Sequence, residues 1–289
     1  MSAIQVAALI AALGAPPNDA PRFANIQLST GVRIHYAEQG PAKGTPMILL
    51  HGYSDSWFSY SLVLSALSRD TRVYALDLRG HGNSDRPAAG YAMRDLAADV
   101  IAFMDAKGIA RATIVGHSMG GFVAQQVALA APRRVSALVL MGTGTTPRNF
   151  SGLDEFEKVV KELSDPVPDA FAREFQLSTI QVPVSQAFVD RVVAESLKLP
   201  ARVWREIMVG LTTYEPAVAL GRAGIATLVI HGLKDPWIPA AEADSLAAMV
   251  GTTRVVKYAN AGHAMHWEHP GVVARDVLAF VVETSRRNR

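Results

Sequence analysis

The residues best suited to chemistry lie in the stretch Gly116-His117-Ser118-Met119-Gly120. It follows an apolar run, Ala112-Thr113-Ile114-Val115, and precedes an apolar segment of helical spacing, Phe122 to Ala130. A serine on a sharp strand-to-helix turn presents its hydroxyl at the carboxyl edge of a sheet, and small residues two before and two after it relieve the crowding. At the start of a helix, unpaired N–H groups and the helix dipole favour developing negative charge. Such a serine is inert until a base takes its proton. Of the eight histidines, His263 is placed best, in a loop after the run Arg254 to Tyr258 and before a final helical segment. His266 and His269 follow at three-residue intervals, which fits no zincin spacing, so they are read as residues of the helix start, on its cap or surface. The orienting carboxylate is Asp235, in a turn closed by Pro236 after the run Thr227 to Ile230. A surface Asp-Pro turn is the plain alternative. Chain order Ser118, Asp235, His263 favours the functional reading. So does the lack of a carboxylate in Gly142-Thr143-Gly144-Thr145 after the preceding run.

These side chains need a rigid frame. Ile26 to Tyr36 alternates around Ser29-Thr30-Gly31 and reads as an antiparallel hairpin. Short runs at 47–50, 73–76, 112–115, 137–140, 227–230 and 254–258 read as strands, most of them without polar alternation. Strands apolar on both faces belong in a sheet covered on both sides. Helical segments at 95–104, 122–130 and 272–281 alternate with them. The fold class is therefore α/β, a mostly parallel, eight-stranded twisted sheet with helices on both faces. Between 146 and 216 the rhythm breaks into charged helical stretches such as Asp154 to Leu163 and Val184 to Leu199, punctuated by prolines. That segment reads as a helical cap inserted after strand 6. The expected division is a helical N-terminal extension at 1–21, a core of 22–145 and 217–289, and a cap of 146–216.

Composition narrows the function classes. The 289 residues are 49% hydrophobic and 19% charged, enough apolar content for one large core. A net charge of +2 with scattered basic residues argues against nucleic acid. With no cysteine, thiol nucleophiles and disulfide scaffolds are excluded. No run reaches the roughly 20 apolar residues of a membrane span. The apolar stretch within residues 1–15 lacks a preceding Lys or Arg, so a helix lying on the protein is expected in preference to a signal peptide, and the location is read as cytoplasmic.

Taken together, the serine turn, Asp235, His263 and the loops around them resemble the α/β-hydrolase superfamily over about Ile26 to Val281. The resemblance implies that His51-Gly52-Tyr53 is an oxyanion loop, with the backbone N–H groups of Tyr53 and Met119 as the two donors. It implies that Asp77 to Asp85 is a structural loop bracing that turn, with His81 not catalytic. Gly262-His263 with Glu268 and Pro270 matches the histidine loop, and Glu268 is read as favouring a helix N-terminus. The implied chemistry is acyl transfer through an acyl-enzyme, with His263 as base and then acid.

Branches of the superfamily separate on single residues. Epoxide hydrolases and haloalkane dehalogenases use an aspartate nucleophile where this chain has Ser118. Hydrolases of aromatic meta-cleavage products share Ser-Met-Gly-Gly and an ending like Trp267-Glu268-His269. They carry Asn before the serine and Trp after the histidine, where this chain has His117 and Ala264, and C–C hydrolysis ranks below ester hydrolysis. Cofactor-free haloperoxidases look similar as well. Trp57, Phe122, Trp237 and Met265, beside the motifs, are expected to line the acyl site with Met119. Phe171, Phe175, Phe188 and Trp204 either cover it or pack within the cap. No Lys or Arg can be placed as a carboxylate clamp. The expected substrate is a small, largely apolar carboxylic ester or lactone, with no cofactor and no metal. A second copy of the chain is an open partner, and a slow-turnover small-molecule receptor on the same fold is the rival of a different class.

Overall fold

The computed structural model describes residues 21–41, 45–67, 71–251 and 253–287. The N-terminal helix expected at 1–21 and the segment weighed as a signal peptide fall almost wholly outside these residues. Eight strands form one sheet: β1 (Arg22–Gln27), β2 (Arg33–Gln39), β3 (Thr45–Leu50), β4 (Thr71–Leu76), β5 (Ala112–His117), β6 (Val135–Met141), β7 (Thr227–Gly232) and β8 (Thr253–Tyr258). Their spatial order is β1-β2-β4-β3-β5-β6-β7-β8. The two pairings made by β2 are antiparallel and the rest are parallel. The chain is an α/β-hydrolase fold.

Both faces of the sheet are apolar because consecutive residues of each central strand enter different cores. Ile48, Leu50, Ile114, Leu138 and Leu140 join one cluster, while Met47, Leu49, Val115, Val139 and Met141 join the other. The first cluster is covered by α2 (Met93–Ala106) and α3 (Met119–Ala130), whose Leu96, Val100, Phe103, Val123 and Val127 recur at helical spacing. Facing the second are α1 (Ser61–Ala66) and α10 (Pro270–Arg287), through Val63, Leu64, Val277 and Phe280. Unbroken apolar strands are thus the sequence trace of a sheet buried on both sides.

From β3 the chain winds to β4 on one side, then returns to place β5 on the other. Loops leaving β3 and β5 therefore diverge above the sheet and leave a crevice, the usual position of a ligand site in such sheets. Tyr53 follows β3 and Ser118 follows β5. Between β6 and β7 lie α4 (Leu153–Lys161), α5 (Asp169–Ser178), α6 (Gln186–Ser196) and α7 (Ala201–Thr212). After β7 come α8 (Ala240–Val250) and, beyond β8, the short α9 (Met265–Glu268). No helix among the described residues is long and apolar enough to cross a membrane.

Candidate active site

Ser118 sits between β5 and α3 with φ 52° and ψ −119°, a backbone that L-residues rarely adopt. Strain of this kind costs on the order of 1–3 kcal/mol and persists only where the surroundings enforce it. Here the Ser118 N–H donates to the Met141 carbonyl at 2.9 Å, and the Ser118 carbonyl accepts from the Gly121 N–H at 2.8 Å. A Cβ on Gly116 would overlap the Gly120 carbonyl, and one on Gly120 would overlap that of Leu50. Close backbone approach accounts for both glycines.

The Ser118 hydroxyl donates to His263 Nε2 at 2.9 Å, and His263 Nδ1–H donates to Asp235 Oδ2 at 2.8 Å. The other Asp235 oxygen accepts from the Trp237 and Ile238 N–H groups at 2.8 and 3.0 Å. Burial alone would raise the Asp235 carboxyl. The charge and hydrogen bond of His263, with the two N–H donors, outweigh burial and hold it below the usual carboxylate range. Side chains from three loops, 145 residues apart at the widest, thus form one line of hydrogen bonds at the sheet's carboxyl edge.

Of the two residues expected to supply oxyanion donors, Tyr53 lines one cavity with Ser118, and Met119 directly follows that serine in the chain. Met119 is the first residue of α3, so its N–H has no acceptor within the helix. The turn carrying Tyr53 is fixed from several sides. His51 Nδ1–H donates to the Gly52 carbonyl at 2.8 Å, and its Nε2 accepts from Leu78 N–H at 3.1 Å. Asp77 accepts from the Trp57 and Asn83 N–H groups at 2.7 and 2.9 Å, and the His81 ring packs on His51. Tyr53 itself donates its hydroxyl to the Trp204 carbonyl at 2.7 Å.

A narrow cavity opens onto Ser118 and His263. Its walls are Tyr53, Phe150, Phe156, Phe175 and Trp237, completed by aliphatic side chains, Met208 and Thr179. A second cavity, of about 250 Å³, shares Phe156, Phe175 and Trp237 with the first and reaches Phe171 and Glu174. Trp237 lines the first cavity, as does Phe175, one of the four aromatics between β6 and β7 for which the sequence allows either covering the site or packing. Trp57, Phe122 and Met265 are not brought there. Trp57 begins a short 3₁₀ turn and packs against Phe23 and Phe58. Phe122, one turn beyond Ser118, points into the core against Phe150 and Tyr214. Met265 is fully buried in the second core cluster. Adjacency to a motif does not set the direction of a side chain, because each helical step rotates it by about 100°. Trp204 supports Tyr53 from behind, and Phe188 packs on Phe58 and Trp267.

Two further residues differ from expectation. His266 is wholly buried, neither a cap nor a surface residue, with Nε2 2.9 Å from Ser59 Oγ. Glu268 ends α9 instead of starting a helix, and its carboxylate accepts from Gly262 N–H at 2.7 Å and from the N–H groups of Gln181 and Val182. Three donors from two segments hold it, so it ties the histidine loop to the helices between β6 and β7. The lining residues Phe150, Leu153, Phe156, Thr179, Met208 and Leu211 were not singled out by the sequence. Their signal is the apolar stripe Leu153-Phe156-Val160 on α4 and Trp204-Met208-Leu211 on α7, which marks a buried face without saying what it faces. No cluster of three or more metal-ligating side chains occurs among the described residues.

The family profile described as alpha/beta hydrolase fold matches residues 45–270, most of the chain. The chain belongs to the α/β-hydrolase family. It is 31% identical over 274 residues to a non-heme chloroperoxidase of Streptomyces lividans, covering 89% of this chain and 98% of that one. It is 29% identical to 2-hydroxymuconate semialdehyde hydrolase of a Pseudomonas species, covering 92% and 96%. Among solved structures, an esterase from Exiguobacterium antarcticum superposes with a TM-score of 0.81 at 22% identity, over 90% of this α/β-hydrolase and 99% of that chain.

Proposed function

We propose that this α/β-hydrolase is a serine carboxylic-ester hydrolase acting on small, largely apolar esters or lactones through an acyl-enzyme, with residues 146–216 as its cap. The observation that carries the reading is the continuous Ser118–His263–Asp235 hydrogen-bond line opening onto an apolar cavity. In the proposed reaction Ser118 Oγ attacks the carbonyl carbon as His263 Nε2 takes its proton. The oxyanion is held by the N–H groups of Tyr53 and Met119, each such donor contributing ~3 kcal/mol to lowering the barrier. The imidazolium hands its proton to the leaving alcohol, and Asp235 keeps the ring oriented and its charge stabilised. Water activated by His263 then releases the acid.

Among the described residues the cavity walls supply no Lys or Arg, so a charged acyl group would lose its hydration without gaining a partner there. This favours uncharged esters over the carboxylate-bearing dienones of C–C hydrolases. Replacing Ser118 with alanine is expected to lower p-nitrophenyl butyrate turnover by ~10⁶, the scale of losing a triad nucleophile. Steady turnover by wild type separates an enzyme from a receptor, which would stop after about one equivalent of product. Retained hydrolysis in Ser118→Ala would falsify the assignment.

A further inference from the structure

Two residues beyond Tyr53, Asp55 is only 4% exposed, yet no Lys or Arg pairs with it among the described residues. Its own N–H closes the turn onto the Gly52 carbonyl at 3.3 Å. One carboxylate oxygen accepts from Gln176 Nε2 of α5 at 3.1 Å, and the other from Ser59 Oγ at 3.1 Å. That hydroxyl oxygen accepts in turn from His266 Nε2–H at 2.9 Å and Trp267 Nε1–H at 3.0 Å. Gln176, itself buried, also reaches Ser196 Oγ at 2.8 Å and Ser54 Oγ at 3.3 Å. Two segments meet at this one carboxylate, the turn bearing Tyr53 and the cap helix bearing Phe175 with Thr179 just beyond it, and the segment that follows His263 joins them through Ser59.

We propose that Asp55 is a positioning residue of the site, its carboxylate fastening cap helix α5 to the Tyr53 turn so that cavity wall and oxyanion donor are set together. The inference rests on the esterase reading above, which assigns Tyr53 its donor role. An ionised carboxylate holds an amide N–H more strongly than a neutral acid does. Burial, partly offset by Ser59 and Gln176, raises the Asp55 carboxyl to about 6, so the fastening is complete above that pH and loosens below it. The titratable groups around Asp55 are Tyr60 from its own loop, His117 from β5, and His263 and His266 from the histidine loop. Burial keeps His117 and His266 neutral across this range and Tyr60 protonated, and the cap side chains hydrogen-bonded into this network among the described residues, Gln176 and Ser196, are neutral. A carboxyl whose folded pKa is raised costs stability once ionised. Asp55 therefore weakens the fold at neutral pH, as expected of a group kept for what it positions.

The test compares wild type with Asp55→Asn and Gln176→Met. The wild-type to Asp55→Asn ratio of kcat/KM for p-nitrophenyl butyrate should rise from near one below pH 5 to about tenfold above pH 7, the order of one charge-assisted hydrogen bond. Asp55→Asn should also melt higher than wild type at pH 8, with the gain shrinking as the pH falls from 6 to 4. Amide hydrogen exchange over residues 169–178 should quicken in both variants at pH 8. A pH-independent rate ratio, or unchanged exchange in both variants, overturns the proposal. Labelling of wild-type Ser118 by a serine-reactive phosphonate separates the two readings. Wild type that takes no label defeats the esterase assignment, while the exchange arm still decides the fastening on its own.

Discussion

Each oxygen of Asp235 has a different task. One holds the His263 ring by its Nδ1–H, and the other is held by two backbone N–H groups. An amide at this position could keep the backbone contacts through its oxygen only by turning its NH₂ toward His263. The ring would then have to carry its proton on Nε2, facing Ser118, and could not serve as a base. Asp235→Asn is therefore expected to lower kcat by ~10⁴, as wrong-tautomer variants of such triads do, with little change in melting temperature at pH 8. Ester hydrolysis and a melting curve on the same sample check both parts, and an unaltered kcat would remove Asp235 from the mechanism. All three residues of this line could be read from the sequence, because each follows an apolar strand and their chain order is the one this fold family uses. Asp55 could not. Nothing in Tyr53-Ser54-Asp55-Ser56 says that a carboxylate there will be enclosed, since its burial comes from Gln176 and Ser59 folding over it.

Among elements, the helices between β6 and β7 supply much of the cavity wall beside the reactive line. Phe156 of α4, Phe175 of α5 and Trp237 after β7 form the wall between the inner and outer cavities, with Phe156 stacked on Phe175 at 4.9 Å. Trp237 is pinned by its indole N–H on Ser178 Oγ at 3.0 Å and by its backbone N–H on Asp235, and Phe156, on α4, can be removed without breaking either hydrogen bond. Phe156→Ala would join the inner and outer cavities and let a longer acyl chain pass into the outer one. Each methylene newly buried contributes ~0.8 kcal/mol. The ratio of kcat/KM for p-nitrophenyl octanoate over butyrate should therefore rise by at least about tenfold. An unchanged ratio would show that the acyl chain does not cross this wall. The apolar stripes of α4 and α7 were visible in the sequence, but periodicity reports that a face is covered and not by what. Phe156 and Trp204 sit in equivalent-looking stripes, yet one lines the cavity and the other supports Tyr53 from behind.

Across the whole molecule, the strands were legible because a sheet covered on both sides leaves unbroken apolar runs, whereas the deep placement of so many histidines left no trace. His51, His81 and His117 are enclosed, and burial is the largest cause that lowers them from 6.5 to about 3, 4 and 3. In the unfolded chain these rings take protons near pH 6.5, while the folded chain refuses them until pH 4 or below. The unfolded state thus binds more protons in that window, and stability falls as the pH falls through it. Asp55 acts in the opposite sense, since its carboxyl is raised from 3.8 to about 6 and the folded state holds that proton more tightly. One acid displaced by about two pH units does not cancel three rings displaced further, each unit being about 1.4 kcal/mol. The melting temperature is therefore expected to decline steadily from about pH 6.5 toward pH 4. His117 offers the cleanest test, because its Nε2–H donates to the His263 carbonyl at 3.0 Å and a glutamine amide can make the same bond without titrating. His117→Gln should melt close to wild type at pH 8 and above it at pH 4.5, giving a shallower slope between them. An identical slope in the two proteins would mean that His117 takes its proton in the folded state as readily as in the unfolded chain, and that its enclosure is looser than the packing of His263 and His266 around it implies.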